Sequence, residues 1–426
     1  MRILIKNASI FLNKELKKRD ILIEKGKIKS IEKNLKITSN SLNKVINIQD
    51  NFVSPGFVDV HVHLRDPGFT QKETILTGSL AAAHGGFTTI AAMPNVIPVP
   101  DTPPKIRKMI QRNKKEGKVH IFQYATITKG RDDSQLVDFK AAKQAGAFAV
   151  SNDGSGIQKS NVMYQAMKMT AKNHIPLVNH AEDSSLTFGG VVNQGLIARK
   201  LNLPGIPDVS ESTQIARDLL LAQATGAHYH VCHVSCASSV NMIRIAKKIG
   251  INVTCEVTPH HLLLDETSIH KDDSMLKMNP PLRSPKDREA LIKGLKDGTI
   301  DIIATDHAPH TKKDKAGSMK KAAFGITGLE TAFSVLYTGL VKTKKLKLNK
   351  LIELMTLNPA VIFGFYRAGQ LKIGQPADLT IINLKKSFQI KKENMLSKGK
   401  NSPFIGKKVY GEILATLVNG KIVYRK

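Results

Sequence analysis

Both ends of the chain alternate apolar and polar positions. ILIKNASIFLN (3–13) and ILIEKGKIKSIEKN (21–34) alternate around polar turns, with Gly26 where a tight turn favours positive φ. ADLTIINL and GEILATLVNGKIVYRK repeat the pattern at the other end, and Asn419-Gly420 between two apolar runs signals a hairpin. Successive strand side chains point to opposite faces, so these segments predict half-buried strands. Two strand-rich ends around a different middle predict one small β domain, a β sandwich assembled from residues 1–53 and 366–426.

From Phe57 to about residue 306 the pattern changes. Eight short apolar runs stand at 57–63, 87–93, 119–125, 147–151, 175–180, 228–233, 251–257 and 301–306. Between them lie helix-like segments such as ESTQIARDLLLAQATG and ASSVNMIRIAKKIG, several of which close in Gly or Asn, as helices often do. Strict β/α alternation implies a parallel sheet, and eight repeats imply closure into a (β/α)8 TIM-like barrel over residues 54–365.

A barrel gives its strand ends a meaning, because catalytic groups collect at the C-terminal rim. The heptapeptide DVHVHLR (59–65) places His61, His63 and Arg65 at alternate positions, on one face if extended. Alone, an H-x-H is more often two hydrogen-bonded core histidines than a metal site. The other strand ends change that reading. Strand four is followed by Asp153, strand five ends at His180, strand six at His233 and strand eight at Asp306. Four imidazoles and two carboxylates on one rim predict a metal centre. His310 lies four residues beyond Asp306 in a loop over the same mouth, whereas His230, His260, His261 and His307 are expected in satisfied-core or surface roles.

Composition narrows the alternatives. The 41% apolar share suits a globular protein, and no window approaches a membrane span or a signal-peptide core, so a cytoplasmic enzyme with no membrane partner is expected. Cys232, Cys236 and Cys255 are too few and odd in number for a disulfide framework and read as packing residues in a reducing compartment. The net charge of +29 raises a nucleic-acid partner. The lysines are dispersed without interleaved aromatics, so no nucleic-acid function is assigned; such a surface still draws in small anions.

PGFVDVHVHLRDPG, MPN (93–95), NHAED (179–183), CHVS (232–235), MNPPLR (278–283) and ATDHAPH (304–310) together resemble the dihydroorotases of the amidohydrolase superfamily, across nearly the whole chain. The match is to the bacterial type with aspartate at the strand-four position. Dihydropyrimidinases, hydantoinases, allantoinases and other dihydroorotases carry a carboxylated lysine there; this chain reads SNDGSG, with Asn152 where the family often has a second acid.

The resemblance implies Zn²⁺, one or two per subunit with two expected. His61, His63 and Asp306 would hold one ion and His180 and His233 the other, with Asp153 between them. It implies reversible cyclisation of N-carbamoyl-L-aspartate to L-dihydroorotate plus water in pyrimidine (UMP) biosynthesis, with Asp306 as the acid/base group. Arg65, Asn95 and His310 would hold the substrate carboxylate, Asn279 would add a polar contact, and Phe324 and Gly325 would contribute backbone contacts from a mobile loop. A homodimer and an association with aspartate transcarbamoylase are the implied protein partners.

Overall fold

The computed structural model describes residues 2–36 and 44–426, so residues 1 and 37–43 of the predicted N-terminal segment lie outside the described residues. Eight parallel strands form the barrel: Phe57–Val62, Phe87–Ala92, His120–Gln123, Val150–Ser151, Leu177–Asn179, Tyr229–Val231, Val253–Val257 and Ile302–Ile303. The first three pair as one arc and the other five as a second. Single parallel bridges join the arcs, Ala125 to Val150 and Val62 to His307. The ring is therefore closed, and its edges are satisfied. The strands are shorter than the apolar runs that predicted them, because those runs continue past the last ladder bond into the rim.

Local signals place the helices around the ring. Pro285–Asp297 starts at Ser284, whose hydroxyl caps the Asp287 amide in a reciprocal capping box, and it has proline in its first turn. Its end is Gly298 at φ 81, a left-handed position that glycine adopts without a Cβ clash. Val209–Thr225 closes the same way at Gly226. The apolar faces of these helices bury against the strands, as does the helix Ala332–Leu336, whose Phe333 stacks on Phe57 at 5.1 Å between ring centroids. Full burial of one such side chain is worth about 1.5–3 kcal/mol.

The termini build one continuous eight-stranded sheet rather than two separate ones. Its path runs Lys421–Arg425, Lys408–Val418, Leu379–Gln389, Phe52–Pro55, Arg2–Leu12, Glu15–Glu24, Lys27–Glu32, with Lys44–Asn47 also on Arg2–Leu12. Backbone bonds from Ile28 to Gln375 and from Ala377 to Gly26 bring the far strand round beside the segment that enters Leu379–Gln389. The sheet thus curls over its own core of Ile3, Ile5, Ile21, Ile23, Leu379 and Leu417. The predicted hairpin turns at Asn419 (φ 49) and Gly420 (φ 71), the two positive values a two-residue turn needs.

The chain passes from sheet to barrel at Gly56. A Cβ there would stand 2.1 Å from the Thr88 hydroxyl oxygen, so only glycine fits the crossing.

Candidate metal centre

Six side chains meet at the barrel rim, none more than 7% exposed. His63 Nε2 lies 3.0 Å from Asp306 Oδ1, and His61 Nε2 lies 3.4 Å from both Asp306 Oδ1 and Asp153 Oδ1. On the other side, His180 Nδ1 and His233 Nε2 are 2.9 Å apart and 3.9 and 3.7 Å from Asp153 Oδ1. Two ligand groups result, His61–His63–Asp306 and Asp153–His180–His233. Asp153 stands between them: its Oδ1 faces His180 and His233, and its Oδ2 is 3.4 Å from His63 Nε2. Cys232 can group with His61 and Asp153, but burial pushes its thiol pKa well up, away from the thiolate a metal takes.

The donors fit a cation. Tetrahedral ligands about 2.0–2.1 Å from Zn²⁺ stand about 3.3 Å from one another, close to the spacings here. His61 Nε2 and Asp153 Oδ1 are buried without a hydrogen-bond partner, although both face the cluster. Burial disfavours charge on His61, yet Asp153 and Glu256 outweigh it and raise its affinity for a proton well above normal. Burial would raise Asp153 and Asp306, yet the surrounding histidines hold both below the ordinary carboxylate range. The pocket is built for positive charge among carboxylates.

Acceptors behind the rings set which nitrogen faces inward. Glu256 Oε1 accepts from His61 Nδ1 at 2.5 Å, and Asn95 Oδ1 accepts from His63 Nδ1 at 2.8 Å, leaving each Nε2 lone pair for the centre. Glu256 also takes His230 Nε2 at 3.3 Å and the His233 amide at 3.3 Å. Burial pushes this carboxyl up, but His61 and His230 hold it at about 2. Backbone strain accompanies the site: Arg65, His233 and Asp306 have φ of 58, 32 and 48, each costing on the order of 1–3 kcal/mol.

A cavity of about 290 Å³ opens above the cluster, near the lower end of small-molecule sites. Arg65, Asn95, Asn279, His310, Phe324 and Gly325 all line it, beside five of the six cluster residues; His61 lies beneath its floor. Arg65 does not arrive by strand parity. The strand ends at Val62, and Arg65 turns inward from the loop in a left-handed conformation, with Nη2 3.4 Å from His310 Nε2. Burial first, then Arg65 and Lys72, push His310 down to about 3, so its ring is neutral. Asn279 donates to Glu182 at 2.8 Å and lies 3.5 Å from His180 Nε2. The loop after strand eight folds over the cavity. Lys315 donates to the carbonyls of Ala323 and Gly325, and Lys277 donates to those of Met319 and Ala322. The Gly325 amide is already spent on the Lys277 carbonyl, at 3.1 Å.

Comparison with known proteins decides the family. Residues 50–239 match the dihydro-orotase-like family and residues 272–424 the amidohydrolase family. The dihydroorotase of Lactiplantibacillus plantarum is 61% identical over 426 residues, covering 100% of this chain and 99% of that protein. That of Ligilactobacillus salivarius is 56% identical, with the same coverage. The chain belongs to the dihydroorotase family. It is a cyclic amidohydrolase of a metal-dependent superfamily, as the sequence motifs implied. Among solved structures, the L-hydantoinase (dihydropyrimidinase) of Arthrobacter aurescens superposes with a TM-score of 0.89 at 28% identity, over 100% of this chain and 96% of that one. A D-hydantoinase gives 0.87 at 24% identity over 100% and 95%, a likeness of fold.

Set in that family, the site shows what sequence reasoning overlooked. Glu256 was a carboxylate inside an apolar strand, INVTCEV, which is itself a signal. His230 and His307 read as bland core histidines. His230 serves Glu256, and His307 Nδ1 accepts the Gly328 amide at 3.2 Å. Asn152 points away from the cluster, accepting from the Ile127 amide and donating to Thr128, so the missing second acid leaves Asp153 in place.

Proposed function

We propose that this chain holds two Zn²⁺ ions, on His61, His63 and Asp306 and on His180 and His233 with Asp153 shared, and that it interconverts N-carbamoyl-L-aspartate and L-dihydroorotate in pyrimidine synthesis. The observation that carries the reading is Asp153 standing within 4 Å of all four histidines, which would let one carboxylate serve both ligand groups without a lysine. When bound, the ions would supply activation of water near neutral pH and polarisation of the ring carbonyl.

The protein groups do the rest. Asp306, whose Oδ1 stands 3.0 Å from His63 Nε2 in the same ligand group, takes the attacking water's proton on its carboxylate and returns it to the departing ring nitrogen. Cyclisation runs the transfer backwards. Arg65 presents a planar fork to the substrate carboxylate, beside neutral His310 and Asn95. Asn279 adds an amide contact, and the Phe324–Gly325 stretch closes the wall.

The chemistry belongs to the segment 54–365 and its framing to 1–53 and 366–426. The enzyme is read as cytoplasmic and homodimeric, with aspartate transcarbamoylase as a partner to test by co-sedimentation. Among the described residues no helix is long and apolar enough to cross a membrane.

The deciding experiment measures ring opening of L-dihydroorotate beside hydantoin, dihydrouracil and allantoin, with metal content from the same batch. Dihydroorotate turnover that chelation abolishes supports the reading. Turnover of another cyclic amide in its place would overturn it.

A further inference from the structure

A side chain of the terminal segments, that of Asn401, reaches the loops that line the cavity. Asn401 lies in the long connection between the sheet strands Leu379–Gln389 and Lys408–Val418, and it is 2% exposed. Its Oδ1 accepts the His310 amide at 2.9 Å. Its Nδ2 donates to the Ala308 and Gly325 carbonyls, both at 3.1 Å. All three bonds go to the backbone of residues that line the cavity. Its own carbonyl accepts the Thr327 amide at 2.9 Å, just past the end of the loop.

The surrounding chain is shaped for this approach. A Cβ on Gly399 would stand 2.6 Å from Pro309 Cβ and 2.8 Å from the His310 amide nitrogen, so the connection lies directly against the loop it braces. Ser397 donates to Glu73 Oε2, a carboxylate 3.6 Å from the His307 ring. Lys315 shares the Gly325 carbonyl with Asn401, but it belongs to the loop itself and moves with it. Asn401 is anchored outside the loop.

An amide is the side chain this position requires. It must accept from one backbone N–H and donate to two carbonyls at once, which a carboxylate or a hydroxyl cannot do. We propose that Asn401 is a positioning residue for the substrate half of the site, fixing the relative placement of His310 and the 323–325 stretch from the terminal sheet. The proposal rests on the reading of those groups as substrate-binding.

The test compares the metal-loaded full chain with Asn401→Ala, and with Gly399→Ala as a second variant that leaves the amide intact but pushes on Pro309 and His310. Metal content, KM and kcat for dihydroorotate, and tryptic cleavage after Lys312, Lys313, Lys315, Lys320 and Lys321 are measured. The expected result is KM raised about tenfold, equivalent to about 1.4 kcal/mol, with kcat within about threefold, metal content unchanged and faster cleavage confined to the loop. Loss of kcat at constant KM, the mark of a smaller folded fraction, would overturn the proposal, as would wild-type loop cleavage. The proteolysis arm needs no substrate. If wild type fails to open dihydroorotate, the functional reading falls while the positioning claim is still decided by cleavage.

Discussion

The two halves of the site are built differently. The half proposed to hold metal, the metal half, hangs on strand ends: ladder bonds fix the backbone of the strands leading to His61, His180 and His233, and one buried carboxylate, Glu256, braces two of those residues. The half proposed to bind substrate, the substrate half, hangs on loops, whose backbone is held by side chains: Lys277, Lys315 and Asn401 bind carbonyls, and Arg65 enters through a left-handed turn. A ladder cannot slip without breaking several bonds, so the metal half is rigid by construction. A loop held by a few side chains can be displaced, and that is where an enzyme must admit its substrate.

The largest effect should come where the halves meet. Asp306→Asn keeps the shape but removes the proton acceptor, and kcat should fall about 10²–10⁴-fold with substrate binding largely kept; a rate above a tenth of wild type, measured by steady-state kinetics, would take Asp306 out of that role. Glu256→Gln should weaken metal binding about 10–100-fold in chelator competition, with KM of the reloaded enzyme little changed. Unaltered metal affinity would mean the strand ladder alone orients His61. Arg65→Met should do the reverse, raising KM about tenfold at constant metal content. A change in metal content there would erase the distinction between the halves.

The last effect falls on stability rather than on rate and concerns the frame beneath both halves. His228 and His260 are each held at about 4, by burial first. Their unfolded value is about 6.5. Between pH 6.5 and 4 the unfolded chain therefore binds more protons, and stability is full above 6.5 and falls as pH drops through that window, by up to about 1.4 kcal/mol per group per pH unit. Asp59 and Asp218, raised to about 6 by burial, act in the opposite direction below that pH, so the histidine contribution is read as the pH dependence that His228→Gln removes from urea midpoints at pH 7, 6 and 5; an unchanged dependence would contradict it.

Legibility followed the same division. The six cluster residues could be read because they stand at or just past the ends of apolar runs, and parallel β/α units place every such end on one rim. Arg65 lines the cavity, but the parity argument that pointed to it fails, since extended parity stops at Val62. The single curled sheet could not be told from a sandwich, because alternation records only that one face is buried.

The sequence by itself determined the barrel, the composite sheet and the metal-type ligands, because periodicity and strand ends are local properties of the chain. Only the tertiary structure decided the partners. Glu256 meets His61 across 195 residues and Asn401 meets His310 across 91. A hydrogen bond depends on where two distant backbones come to rest, and no local pattern encodes that.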